Sequence, residues 1–304
     1  MSRLKIGTRG SPLALAQARE TCDRLTAAHG LAPDEIEIVA ITTTGDRINN
    51  KPLAEIGGKG LFTKEIEEAL LAGAIDMAVH SMKDMPAQLP EGLIIAALLP
   101  REDARDAFIS PVAPSLAGLP LGAAIGSSSV RRTAQVLRMR PDLKTVQFRG
   151  NVETRLRKLA EGVAQATFLA CAGLNRLGLA DKITAPMPID IMLPAVAQGA
   201  IGIEIRADDD KTRALLAAVN HRDTETAVAC ERAFLAALDG SCRTPIAGHA
   251  VLDGGTLRFR GHALTLDGVH CFETARQGSH ADAVRMGREA GEEVKALGGA
   301  LIAS

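Results

Sequence analysis

Apolar and polar positions follow a repeating pattern from residue 4 onward. An apolar run at 4–7 leads into an amphipathic stretch near 11–28, which Gly30 ends. Residues 35–42 (EIEIVAIT) alternate as a half-buried strand does. The glycine-rich Gly57-Gly58-Lys59-Gly60 precedes a helix whose Phe62, Ile66 and Leu70 share one face at i, i+4 spacing. Runs at 76–80 and 93–98 read as further strands. Strands alternating with helices predict an α/β layer around a mostly parallel sheet.

Segment 100–120 is rich in charge and then in proline, and reads as a crossover. The alternation restarts at 121, with strands over 121–126, 144–148 and 166–170 and helices over 129–140, 151–161 and 171–178. Pro186, Pro188 and Pro194 mark a second crossover, and 200–206 (AIGIEIR) is a strand that completes the first sheet. Beyond 220 the pattern changes. A helix at 223–238 is followed by β runs near 246–252, 256–266 and 269–275. Asp253-Gly254-Gly255 and Asp267-Gly268 break these runs as hairpin turns, and a last helix covers 280–297. The expected fold class is α/β, with two lobes, a cleft between them, and a small α+β C-terminal domain built on a three-stranded antiparallel sheet. The first lobe takes 1–99 and 199–218, the second 100–198, and the third domain 219–304.

Composition narrows the function. Thirty-five Lys and Arg against 36 Asp and Glu give a formal net charge of -1, so no global field draws the protein to nucleic acid or membrane. With no Trp, no Tyr and seven Phe there are few platforms for base stacking. No apolar run approaches the ~20 residues of a membrane span, and the N-terminus has no apolar signal core. Five cysteines, odd in number and without C-x-x-C spacing, point to reduced thiols. A soluble cytoplasmic enzyme is expected.

Cationic function must then be local. One construction occurs twice: an apolar strand, glycine and small hydroxyls, then arginine and a helix. The copies are Gly7-Thr8-Arg9-Gly10-Ser11-Pro12 and Gly126-Ser127-Ser128-Ser129-Val130-Arg131-Arg132. Each would aim a helix N-terminus and a guanidinium at an anion. Arg149-Gly150-Asn151 repeats the idea at another strand–helix junction, with Arg155 and Arg176 beyond it, whereas Arg138, Arg140 and Arg157 read as solvated helix faces.

The strand at 76–80 exits into Ser81-Met82-Lys83-Asp84, where ligands bind in parallel sheets. On the residues alone, Lys83 and Asp84 fit either a surface ion pair or a cleft pair whose carboxylate stabilises a cation or handles a proton. Lys59 fails the phosphate-loop pattern, since Gly60 stands where Ser or Thr is needed, and reads as part of a lid. The histidines show no metal-ligand spacing, so no metal is expected. Cys242, in Asp239-Gly240-Ser241-Cys242-Arg243-Thr244-Pro245, has an arginine beside it that favours the thiolate. It is either a nucleophile or attachment point or an inert loop cysteine; the other four read as small hydrophobes.

In one order along nearly the whole chain stand Thr8-Arg9-Gly10-Ser11-Pro12-Leu13-Ala14, Gly57-Gly58-Lys59-Gly60-Leu61-Phe62 and Ala78-Val79-His80-Ser81-Met82-Lys83-Asp84. They are followed by the serine–arginine segment 126–132, Arg149-Gly150-Asn151, residues 172–178 (AGLNRLG) and residues 193–200 (LPAVAQGA). This set closely resembles the porphobilinogen deaminase (hydroxymethylbilane synthase) family. The resemblance implies two lobes folded like type II periplasmic binding proteins, and a dipyrromethane cofactor attached to Cys242 through a thioether. It implies head-to-tail condensation of four porphobilinogen molecules onto that primer with loss of ammonia, then hydrolysis to hydroxymethylbilane, by a monomeric enzyme.

It further implies that Arg9, Arg131, Arg132, Arg149, Arg155 and Arg176 bind the acetate and propionate groups of the chain, assisted by Ser11, Lys83, Ser127, Ser128 and Ser129. Asp84 would be the catalytic aspartate that stabilises the cation left by ammonia and the pyrrole N–H groups. Gln17 and Gln198 are expected to line the cleft, and Lys59 and Phe62 to serve as lid or stacking residues. The sequence departs from the family pattern at Ala197, where glycine is common, at Glu55, where lysine is frequent, and at Gln165, where aspartate is frequent. The competing reading is a two-lobe binding or sensing protein for an acidic small molecule, for which Cys242 and the third domain have no use.

Overall fold

The computed structural model describes residues 3–47, 60–240 and 244–303. Contacts divide the described residues into two compact units: those within 3–47, 60–102 and 200–225 form the first, and those within 103–199 and 226–303 the second. Among the described residues no helix is long and apolar enough to cross a membrane.

The first unit begins with β1 (Leu4–Arg9) and α1 (Pro12–His29). Local chemistry sets both ends of that helix. Ser11 accepts the Ala14 N–H at 3.3 Å as N-cap, Pro12 starts the first turn, and Gly30 closes it at φ 64, donating to Thr26 O at 2.9 Å. β2 (Ile36–Ile41), α2 (Thr44–Arg47), α3 (Lys64–Leu71), β3 (Met77–Ser81) and β4 (Leu93–Leu98) follow. The second unit opens with β5 (Asp106–Ile109), β6 (Ala124–Gly126) and α4 (Val130–Met139). It continues through β7 (Lys144–Val146), α5 (Val152–Ala160), β8 (Ala166–Ala170), α6 (Cys171–Arg176) and β9 (Ala185–Pro186). The chain then returns to the first unit with β10 (Ile201–Arg206) and α7 (Asp210–Leu216).

The two five-stranded sheets share one design. Their orders are β2-β1-β3-β10-β4 and β7-β6-β8-β5-β9. In each, the first three strands run parallel and the fourth is antiparallel to both neighbours. The sheets are therefore mixed rather than mostly parallel. The antiparallel strand is also the one supplied across a crossover: β10 enters the first sheet after the second is built, and β5 opens the second directly after β4.

Segment 100–120, expected as a plain crossover, thus contains a central strand. β5 is four residues long, all buried. Its apolar run is only Ala107-Phe108-Ile109, and the flanking charge and proline hide it from periodicity. Phe108 packs on Phe168 with ring centroids 5.6 Å apart, in a core with Ile125, Val136 and Met192. The first sheet's core gathers Ile6, Met77, Val79, Ile201, Ile203 and Ile205, each side chain worth about 2 kcal/mol of burial.

The remaining elements are α8 (Arg222–Ala237), the antiparallel sheet β11 (Ile246–Asp253), β12 (Thr256–Leu264) and β13 (Cys271–Ser279), and α9 (Ala283–Gly298). The Asp253-Gly254-Gly255 turn forms as expected, with both glycines at positive φ (55 and 83). α8 and α9 lie close enough that a Cβ at Gly287 would overlap the Cys230 carbonyl, while Phe234 of α8 meets Phe259 of β12 at 5.0 Å.

Candidate active site

Within each unit the chemistry-bearing residues gather at the carboxyl ends of the parallel strands. This is where α/β sheets present loops and helix N-termini to ligands. In the first unit Arg9 ends β1. Its guanidinium pairs with Asp46, with Nε 3.2 and 3.3 Å from the two carboxylate oxygens, and lies 4.3 Å from the Phe62 ring centroid. Burial works against the Asp46 carboxylate, but hydrogen bonds from Arg9 and Thr43 overcome it and hold its pKa below the usual range. Ser11 is occupied as the α1 cap. Gln17, a predicted cleft residue, is buried and exchanges two hydrogen bonds with Ser81, at 2.8 and 3.0 Å.

The end of β3 turns sharply through a single 3-10 turn, Met82–Asp84. Met82 is buried against Gly202 of β10, where a Cβ would overlap its sulfur, and its N–H donates to Ala200 O at 3.1 Å. That anchor fixes the turn and leaves Lys83 and Asp84 half-buried at its end. The Asp84 carboxylate makes no hydrogen bond or ion pair with another described residue.

In the second unit the loop after β6 carries the three serines. Ser127 Oγ accepts the Ser129 N–H at 3.1 Å, and Ser129 caps α4 by accepting the Arg132 N–H at 3.4 Å. Ser128 Oγ is buried with no hydrogen-bond partner. β7 lies beside β6, and Phe148 beyond it packs so tightly on Gly126 that a Cβ there would stand 2.5 Å from the ring. Arg149 follows directly, and one of its terminal nitrogens, Nη1, is likewise buried and unpartnered. Asn151 caps α5, Arg155 Nε donates to Gly150 O at 2.9 Å, and Arg176 Nη1 to Gly199 O at 3.1 Å.

Arg131 and Arg132 have a different setting from an open clamp. Both are buried around Asp106. Arg131 donates to Asp106 at 2.7 and 3.2 Å and to Leu193 O at 2.7 Å; Arg132 donates to Asp106 at 3.0 and 2.6 Å and to Phe168 O at 2.8 Å. Gln198 completes the knot, with Nε2 on Asp106 at 3.0 Å and on Ala104 O at 2.8 Å. Burial opposes the Asp106 charge, but the two guanidiniums outweigh it and keep the carboxyl well below the usual range. Asp106 is the residue that sequence reasoning missed, and its only local signal was an acid at the head of a short apolar run.

Removing one member of a buried ionic knot strands the others, at about 3–5 kcal/mol. Asp106→Asn is therefore expected to lower the thermal unfolding midpoint by about 10 °C. An unchanged midpoint by differential scanning calorimetry would contradict the assignment. Because the folded pKa is depressed, the carboxylate's contribution is complete at neutral pH and is lost only in strong acid, as pH falls through the folded value.

A buried polar group without a partner costs about 1–3 kcal/mol, and Ser128 Oγ and Arg149 Nη1 are two such donors on the loops that leave adjacent parallel strands. A carboxylated ligand supplies the acceptors they lack, so these residues fit a dipyrromethane with its acetate and propionate arms. Cys242 and Lys59 lie outside the described residues.

Comparison with known proteins agrees. The profile of the porphobilinogen deaminase dipyromethane cofactor binding domain matches residues 4–214, and that of the porphobilinogen deaminase C-terminal domain matches residues 225–296. The chain is 60% identical over 292 residues to a porphobilinogen deaminase of Paracoccus denitrificans, covering 96% of this chain and 93% of that one. It is 58% identical over 304 residues to a chloroplastic porphobilinogen deaminase of Oryza sativa subsp. japonica, covering 98% and 85%. Among solved structures it is similar to a periplasmic substrate-binding protein of an ABC transporter from Coxiella burnetii, with TM-score 0.44 and 15% identity over 75% of this chain and 96% of that one. The chain belongs to the porphobilinogen deaminase family, the hydroxymethylbilane synthases of tetrapyrrole biosynthesis, transferases that act on porphobilinogen and carry a dipyrromethane cofactor.

Proposed function

We propose that the two strand-end clusters divide the work of extending a polycarboxylate chain: the second-unit loops hold it and the β3 turn performs the chemistry. The observation that carries this reading is the pair of buried, unsatisfied donors, Ser128 Oγ and Arg149 Nη1. With Ser127, Ser129, Arg155 and Arg176 they bind acetate and propionate groups by charge-assisted hydrogen bonds. Arg131 and Arg132 act on the same carboxylates from within the Asp106 knot. Arg9, Ser11 and Lys83 bind the carboxylates of the incoming porphobilinogen. Phe62 beneath Arg9, with Lys59, covers it as a lid, and Gln17 holds Ser81 at the head of the catalytic turn.

When bound through a thioether to Cys242, the dipyrromethane supplies the free pyrrole carbon on which the chain starts. At each addition the aminomethyl C–N bond of porphobilinogen breaks, ammonia leaves, a C–C bond forms and the attacked pyrrole carbon loses its proton. Asp84 faces the positive charge that develops as ammonia departs, and its anionic oxygens stabilise that charge and orient pyrrole N–H groups. A formal net charge of -1, with the carboxylate-binding arginines gathered at strand ends, suits a monomer in the cytoplasm that engages neither nucleic acid nor membrane. In the three-domain division at 99, 198 and 218, the holding, reacting and tethering parts fall to different domains.

Arg149→Gln tests the holding role. A hydrogen bond to a charged group contributes about 1.5–3 kcal/mol, so kcat/KM for porphobilinogen is expected to fall roughly 10–100-fold while circular dichroism stays native. Unaltered primer loading and elongation kinetics would remove Arg149 from the site.

A further inference from the structure

The proposed mechanism leaves three donor side chains unused on the third sheet. His262 is on β12, and Cys271 and Glu273 are on β13. His262 pairs in register with Glu273 and Leu264 with Cys271, so the three side chains leave the same face. Their ligand atoms, an imidazole nitrogen, the Cys271 sulfur and a Glu273 carboxylate oxygen, all lie within 4.8 Å of one another. Around a tetrahedral zinc with bonds of about 2.0–2.3 Å, ligand atoms stand about 3.5 Å apart. Small side-chain rotations close the difference.

Two details of these side chains point to a ligand. Cys271 Sγ donates to Glu273 Oε1 at 3.3 Å, so a proton sits between sulfur and oxygen. His262 Nε2 is buried and has no hydrogen-bond partner, whereas buried polar atoms are normally satisfied. Burial, reinforced by the charges of Arg131, Arg138 and Arg260, pulls the imidazole down to about 3, so it is neutral and carries a lone pair. Arg260 is already countered by Asp190, and Arg131 shares Asp106 with Arg132. Arg138 donates to Val269 O at 3.3 Å.

We propose that His262, Cys271 and Glu273 form a binding site for a zinc-like divalent cation, with the metal taking the place of the proton between Cys271 and Glu273. The nitrogen–sulfur–oxygen set selects zinc over magnesium or calcium, which want oxygen alone. Binding is an exchange without redox change: the S–H bond breaks, a sulfur–metal bond forms and one proton is released to solvent. The thiolate and carboxylate together balance the cation's charge, and a water fills the fourth position. None of the three residues belongs to the condensation machinery, so occupancy tightens the β12–β13 ribbon without entering the reaction.

The full-length holoenzyme, titrated with Co²⁺ as the spectroscopic probe, tests this. One equivalent is expected to produce a near-ultraviolet thiolate-to-cobalt band with the visible bands of four-coordinate cobalt, and Zn²⁺ should bleach both by competition. Cys271→Ser should abolish the charge-transfer band, and His262→Gln and Glu273→Gln should each weaken binding at least about tenfold. Zn²⁺ should also raise the thermal midpoint of the unaltered chain but not of Cys271→Ser. The partly buried Cys271 tolerates serine, so the test stands even where a His262 variant folds poorly. No charge-transfer band, or one that survives Cys271→Ser, would overturn the site.

Discussion

Cys242→Ser is expected to yield a folded protein whose intact mass equals that of the polypeptide, while the unaltered chain exceeds it by one covalent dipyrromethane. Turnover should fall below detection, because the first condensation then has no tethered acceptor. The thiolate is the reactive form of a cysteine. Burial pushes Cys171 and Cys230 up to about 12, and burial with the Glu273 hydrogen bond does the same to Cys271. Cys22 is also raised, by burial and by Asp23 beside it. With no metal bound, all four described cysteines therefore keep their protons at neutral pH. Cys242 is the remaining cysteine of the sequence and has Arg243 next to it. Serine preserves size but offers an alcohol that stays protonated, so no thioether forms. Mass spectrometry of the intact protein decides the matter: a mass excess that persists in Cys242→Ser, or full activity without one, would sink the attachment.

Legibility in the sequence followed the range of the interactions. Strand-end loops announce themselves locally, through glycine, serine and proline, and the caps at Ser11, Ser129 and Asn151 formed where those residues stand. The three β-runs after 246 were likewise readable from their turn chemistry. The setting of Arg131 and Arg132 was not, because it depends on Asp106, which reaches α4 only through the sheet. An acid opening a four-residue strand has no periodic signature, so β5 and the ionic knot were hidden together. β10 was legible as a strand of the first sheet, but its antiparallel direction, like that of β5, was not: a short apolar run states that it is buried, not which way it runs. Gly202 carried a similar silent message. Its missing side chain makes room for Met82 and thereby sets the turn bearing Asp84.

That turn leads to the second large effect. Asp84→Ala is expected to keep the covalent dipyrromethane and lose nearly all turnover, with kcat down at least roughly 10²–10³-fold. Met82 and its bond to Ala200 O hold the turn, and the Asp84 carboxylate makes no hydrogen bond or ion pair with another described residue. Truncation should therefore change stability by no more than about 0.5 kcal/mol, and the lost rate cannot be charged to unfolding. Asp84→Asn separates charge from shape. If the carboxylate stabilises the cation that forms as ammonia leaves, the amide fills the same space and still fails, since the stabilisation arises only where positive charge develops. KM should then move little while kcat collapses, the signature of an interaction made in the transition state. Single-turnover measurements on primer-loaded enzyme give the test, and near-normal elongation by Asp84→Asn would assign the residue to positioning rather than to charge.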